Sequence, residues 1–284
     1  MIEICGTAVI MDQTINLEVF FISDRTGITA EALGRSLLTQ FNKDDCRYTM
    51  LPYIDTDEKI STAIQQIHAA KNNTRQLIVF STLSSKDHRR RLINEDFFVL
   101  DLFNTCLPPL QSAMQRHSSP AIGQTHGMGD QNQYLARMDA VNFTLNVDDG
   151  LRTKDYEDAD LILAGVSRSG KTPTCLYLAM QFGIRAANYP LVEEDLDKGR
   201  LPDALKAWKK KLYGLVIEPA SLQKIRQSRM PDSRYASIDQ CRKEIRQTDT
   251  LYKQENISVV ESSSMSVEEL ATTLMQKAGL QRQY

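Results

Sequence analysis

The sequence predicts an α/β protein: an N-terminal α/β domain with a mostly parallel sheet, followed by a P-loop kinase-like α/β domain. Three observations carry this reading. Short apolar runs rich in β-formers alternate with stretches of helical periodicity, as strands joined by crossover helices require. The chain has 284 residues, enough for two hydrophobic cores of ordinary size. The stretch GVSRSGKT, Gly165 to Thr172, stands between an apolar run and a helical pattern.

Residues 1–16, with a second plausible start at Met11, precede the first clear strand and are read as an N-terminal extension without fixed structure. LEVFFI (17–22) is a strand, SDRTG a polar turn and ITAEALGRSLLTQF a helix, closed by the turn NKDD (42–45). CRYTMLPYI reads as a strand, DEKISTAIQQIHAAK as a helix, RQLIVFSTL and DFFVLDLF as further strands. A helix is expected after Pro108 and Pro109, because proline is disfavoured inside one. The loop SSPAIGQTHGMGDQ follows, then the helical QYLARMDAVNFTL.

The acid-rich DDGLRTKDYEDAD has no apolar periodicity and reads as a solvated linker, with Asp148 and Asp149 as turn residues. The domain boundary is accordingly placed near residue 150, giving domains 17–150 and 151–284. The second domain opens with the strand LILAGV and the helix PTCLYLAMQFG. It continues with a strand in YGLVIEP, helices around SLQKIRQS and YASIDQCRKEIRQTDTLYKQ, a strand in ISVVES and a last helix from Ser266.

Composition narrows the function class. The balance of 34 basic against 36 acidic residues gives no bias toward nucleic acid or membrane, and no apolar run is long enough to span a bilayer. The five cysteines are scattered without zinc-ligand spacing, so most are expected to be reduced core residues, and a cytoplasmic location is expected.

GVSRSGKT matches G-x-x-x-x-G-K-[ST], in which backbone N–H groups of Gly165, Val166, Ser167, Arg168, Ser169 and Gly170 wrap phosphates. Lys171 is expected to neutralise the terminal phosphates, and Thr172 to hold Mg²⁺. Arg168 offers a second cation for the transferred group. Pro173 suits the first helical turn, where its missing N–H costs nothing.

Phosphoryl transfer to a hydroxyl also calls for a proton acceptor. Asp24, at a strand end, and His126 and Asp130, in the glycine-flanked loop, are the candidates. Asp24 has a plainer reading as the cap of the following helix, and His126 as a loop hydrogen-bonding residue. From Arg200 to Arg234 nine Lys/Arg stand against three Asp/Glu, a local excess suited to docking a phosphorylated protein or simply to a solvated face.

The loop together with FFISDRTGITAEALGRSLL, HGMGDQNQYLARMDAVNFTLNVDDG, AMQFGIRAANYPLVEEDL, KLYGLVIEPASLQKIR and SRYASIDQCRKEI resembles the family of pyruvate, phosphate dikinase and phosphoenolpyruvate synthase regulatory proteins. The similarity runs from about Phe20 to the C-terminus, and AMQFGIRAANYPL and SRYASIDQC look like its synthase branch. The resemblance implies a bifunctional enzyme with phosphoenolpyruvate synthase as its protein substrate. ADP rather than ATP would donate its β-phosphoryl group to a threonine near the target's phospho-histidine, releasing AMP and inactivating the target, and inorganic phosphate would remove that group as pyrophosphate. The same chemistry on the dikinase, a small-molecule kinase and a non-catalytic ADP sensor are the alternatives. A homodimer is compatible with the sequence, although no heptad or isolated apolar face argues for one.

Overall fold

The computed structural model describes residues 17–41, 46–71, 74, 76–118 and 131–283. The extension 1–16, the NKDD turn, His126 and Asp130 lie outside the described residues. The chain divides into two compact units, Met1–Gly127 and Met128–Tyr284.

In the first unit the order is β1 (Leu17–Ile22), α1 (Ile28–Leu38), β2 (Cys46–Leu51), α2 (Asp57–Lys71), β3 (Gln76–Ser81), α3 (Lys86–Ile93), β4 (Phe98–Asp101) and α4 (Leu102–Met114). The strands form a parallel sheet in the order β2-β1-β3-β4. Alternation along β1 sorts the two faces. Val19 and Phe21 pack with Ala30 of α1 and Leu102 of α4, whereas Phe20 and Ile22 pack with Ile60 and Ile67 of α2 and Leu92 of α3. Helices therefore cover both sides of a central strand that is buried at every position.

One helix departs from the sequence reading. α4 starts ahead of the prolines and carries both inside it. The Asp101 side chain accepts from Asn104 N at 3.0 Å and Thr105 Oγ1 donates to Asp101 O at 2.8 Å, so the first turn is fixed before Pro108 is reached.

The second unit runs α5 (Gln131–Asn146), β5 (Leu161–Gly165), α6 (Lys171–Phe182), β6 (Ala186–Pro190), α7 (Glu193–Asp197), α8 (Asp203–Lys206), β7 (Leu212–Val216), α9 (Pro219–Gln227), α10 (Ile238–Glu255), β8 (Ser258–Glu261) and α11 (Val267–Ala278). Its parallel sheet has the order β6-β5-β7-β8. Leu161 and Leu163 pack with Leu178 of α6 and Leu274 of α11; Ile162 and Ala164 pack with Leu222 of α9 and Ile245 of α10. β7 lies so close to α10 that a Cβ on Gly214 would stand 2.5 Å from the Tyr252 ring.

The boundary expected near residue 150 is displaced, because α5 belongs to the second unit. Thr144 Oγ1 donates to Ala186 O at 2.9 Å, Arg185 pairs with Asp139, and Val147 is buried in the core beneath β5. The acid-rich stretch is not a solvated linker either. Asp148–Gly150 and Thr153–Asp158 form 3-10 turns, and Tyr156 is fully buried. Asp149, Glu157 and Asp158 are exposed around the buried Tyr156, while Asp160 accepts from Arg185 N at 2.8 Å. Among the described residues no helix is long and apolar enough to cross a membrane.

Candidate functional site

β5 is the strand at which the chain changes direction across the second sheet, with β6 on one side and β7 on the other. The crevice beyond the carboxyl end of such a strand is where open α/β sheets bind ligands. Val166–Gly170 fills that position and leads into α6.

Two glycines are required by geometry. A Cβ on Gly165 would meet Ser169 Oγ at 2.8 Å and Leu215 O at 3.0 Å, and Gly170 holds φ +95° immediately before α6. Arg168 also has positive φ, 73°, and is exposed at the crest of the loop. Pro173 occupies the first turn of α6 as its sequence context suggested.

Lys171 is the first residue of α6 and is almost wholly buried. Its Nζ donates to Val166 O at 3.0 Å, which holds the ammonium within the loop. Burial lowers its pKa to about 8, against the opposing pull of Asp149, Cys175 and Asp148. A desolvated cation at a helix N-terminus has much to gain from a phosphate. Ser169 Oγ, buried in the same loop, has no hydrogen-bond partner and is a further group that an anion could satisfy.

Thr172 Oγ1 donates to Asp148 Oδ1 at 2.9 Å, and Asn188 Nδ2 donates to the same oxygen. Asn188 is itself fixed: its Oδ1 accepts from Asp149 N at 3.2 Å and its carbonyl accepts from Tyr156 OH at 2.7 Å. Asn188 sits on β6 and is fully buried. A threonine hydroxyl beside an oriented carboxylate is the donor set of a divalent cation in a P-loop site. Among the described residues no group of three or more His, Cys, Asp or Glu could hold a metal ion by itself. Thr172 and Asp148 are thus the residues that could hold such a cation.

The loop is clamped from the other side at Ser167. Its Oγ lies 2.9 Å from Tyr235 OH, and its carbonyl accepts from Arg226 Nη2 at 3.1 Å. Arg226 is fully buried, pairs with Glu244 at 2.6 Å, donates to Tyr235 O at 3.0 Å and stacks on the Tyr235 ring. A cavity of about 400 Å³ opens beside Ser167. Pro190 to Glu193 form one wall, and Arg226, Tyr235 and Glu244 contribute to the other.

Of the residues singled out from sequence, Gly165 to Thr172 come together as one loop. Asp24 lies in the first unit, buried at the end of β1, where Oδ2 accepts from Ser84 N at 2.8 Å. It does not cap α1, whose N-cap is Gly27. Four of the nine basic residues of the stretch 200–234 form ion pairs. Arg226 pairs with Glu244, Lys206 with Asp203, Lys209 with Glu255 and Arg234 with Glu193, while Lys211 donates to the carbonyls of Glu157 and Ala159. Asp148 was read only as a turn residue and Arg226 only as part of the basic stretch, and Asn188 and Tyr235 were given no individual role, although all four fall in segments that carry the family resemblance.

The model of the kinase/pyrophosphorylase family matches residues 19–275. A relative from Pseudomonas fluorescens strain Pf-5 is 49% identical over 266 residues, covering 93% of this chain and 98% of its own. Relatives from Pseudomonas aeruginosa strain LESB58 and Pseudomonas putida strain W619 are each 48% identical over 93% of this chain, covering 97% and 98% of their own lengths. All three bear the name "Putative phosphoenolpyruvate synthase regulatory protein".

Proposed function

The chain belongs to the kinase/pyrophosphorylase family, and from that premise we propose that it is a bifunctional regulator of phosphoenolpyruvate synthase. In one direction ADP donates its β-phosphoryl group to a threonine of the synthase, which inactivates it and releases AMP. In the other, inorganic phosphate attacks the phosphothreonine, pyrophosphate leaves, and the synthase regains activity. The names of the relatives support the synthase rather than the dikinase as the protein substrate.

The observation that carries the phosphotransferase reading is the loop at the end of β5, where a buried ammonium, a helix N-terminus and a hydroxyl tied to a carboxylate converge. Phosphoryl transfer needs positioning and charge neutralisation more than covalent help from the protein. Lys171 faces the terminal phosphate oxygens, and the loop N–H groups fix the diphosphate. Thr172 and Asp148, oriented by Asn188, would hold Mg²⁺. The cation, when bound, offsets charge on the phosphate oxygens. Arg168, exposed at the crest, supplies a further positive charge to the group in transit.

The pyrophosphate-forming direction gives a test that an ordinary phosphatase would fail. Synthase carrying labelled phosphothreonine is incubated with this protein and unlabelled inorganic phosphate. The expected result is label in pyrophosphate, with recovery of synthase activity. Label appearing only as orthophosphate contradicts the proposal.

A further inference from the structure

A buried ion pair is a weak source of stability, because desolvation offsets much of its attraction. The Arg226–Glu244 pair, whose arginine side chain has no exposed surface, calls for another reason. Its geometry supplies one. Glu244 Oε2 accepts from Nη2 at 2.6 Å, Glu244 Oε1 accepts from Gln240 Nε2 at 2.9 Å, and the Tyr235 carbonyl accepts from Nη1 at 3.0 Å. The guanidinium is thereby fixed from α10 and from the turn ahead of it. A further bond, Nη2 to Ser167 O at 3.1 Å, reaches the phosphate loop.

That bond sets the direction of a donor. A trans peptide unit is planar, so its carbonyl and its N–H point in opposite directions, and no peptide among the described residues is cis. Ser167 O is drawn toward α9 and α10, which pack on Ile162 and Ala164 of β5. The N–H of Arg168, at the other end of the same peptide, therefore faces away from those helices. It is turned to the side of the sheet that carries α6, with Lys171 and Thr172 at its start. Ser169 N is already taken by Val166 O at 3.3 Å, whereas among the described residues no group accepts from Arg168 N.

The backbone of Arg168 shows that this orientation is held against a preference. Its φ of 73° lies in the left-handed region that residues other than glycine seldom occupy. Such a conformation persists where the surrounding contacts over-determine it. Rotation of the Ser167–Arg168 peptide would relieve it, since that rotation changes the φ of Arg168 directly. Arg226 opposes the rotation by holding the carbonyl, and Tyr235 OH, 2.9 Å from Ser167 Oγ, holds the side chain of the same residue.

We propose that Arg226 is a positioning residue for the phosphate site: through Ser167 O it turns the peptide so that Arg168 N–H is presented to a bound diphosphate, and Glu244 keeps the guanidinium in place. The inference rests on the reading of the loop as a diphosphate site and adds which residue outside the loop aims one of its donors. Arg226 itself touches no phosphate. Without it the peptide is free to turn its carbonyl toward the anion, which replaces an attraction by a repulsion.

The test follows the Arg168 amide by NMR and ADP affinity by calorimetry in the wild-type protein, in Arg226→Lys and in the double variant Arg226→Met/Glu244→Met. In the wild-type protein ADP is expected to move the Arg168 amide proton downfield, as a charge-assisted hydrogen bond does. Arg226→Lys keeps a cation beside Glu244 but lacks the planar fork that spans three acceptors. The double variant removes both charges and leaves neither unpaired. Both are expected to keep the wild-type circular dichroism spectrum, to bind ADP at least about tenfold more weakly and to lose the downfield shift. ADP affinity within about twofold of wild type in either folded variant, with the Arg168 shift retained, overturns the inference. Weaker ADP binding with the shift intact also overturns it, since the loss would then come from general destabilisation. So does a wild-type Arg168 amide that bound ADP leaves unmoved, a result that stands whether or not the variants fold. No ADP binding by the wild-type protein removes the reading of the loop itself, and this inference with it.

Discussion

Lys171 gives the site its pH dependence. Its pKa stands at about 8 against an ordinary 10.5, because burial disfavours the ammonium. Between those values the unfolded chain holds more protons than the folded one, so this group makes stability rise with pH across that window. Below about 8 the lysine is charged in both states and the full desolvation penalty stands. Phosphate bound in the loop would favour the charged form, so a nucleotide there would pull the pKa back up. ADP affinity is therefore expected to be level from pH 7 to 8 and to weaken above it, approaching about tenfold per pH unit. Calorimetric titration at pH 7, 8, 9 and 10 reads this directly, and a flat profile would show that Lys171 does not meet the phosphates. The loop itself was legible because glycine spacing, lysine and threonine follow one another in the chain. Asp148 and Tyr235 were not, since they reach the loop from 24 and 68 residues away through the fold, and Asn188 acts on it only through Asp148, 40 residues distant.

The elements read well wherever apolar periodicity was strong, as in β1, α2, β5 and α11. β6 was passed over because AANYP has no β-branched residue and ends in proline, although its pairing with β5 makes it the strand that carries Asn188. α5 was found but assigned to the wrong domain. Its helical pattern says nothing about which sheet it covers, and the acidic stretch after it imitates a linker. That correction has a measurable consequence. A fragment comprising residues 128–284 retains α5, Val147 and Asp148, and should fold and bind ADP. A fragment comprising residues 151–284 uncovers buried core surface and leaves Thr172 without its carboxylate. It is expected to be unfolded by circular dichroism, or folded with ADP affinity reduced by at least about tenfold. Equal stability and affinity in the two fragments would restore the boundary near residue 150.

At the scale of the whole molecule the two units share a strand order. Each places its first strand beside its second and third, with the fourth at the edge. Each therefore has a switch point at the carboxyl end of its first strand. In the first unit that end carries Asp24, engaged with Ser84 N; in the second it carries the phosphate loop. Among the described residues the glycine-lysine-threonine pattern stands at only one of the two switch points, so fold class alone does not locate a site. The most direct measurement is transfer to phosphoenolpyruvate synthase with its histidine phosphorylated, comparing β-labelled ADP with γ-labelled ATP and the wild-type protein with Lys171→Ala. The expected result is label from ADP alone on a synthase threonine, abolished by Lys171→Ala. Label from ATP instead, or equal transfer by the variant, would contradict the assignment of GVSRSGKT as the donor site of an ADP-dependent kinase.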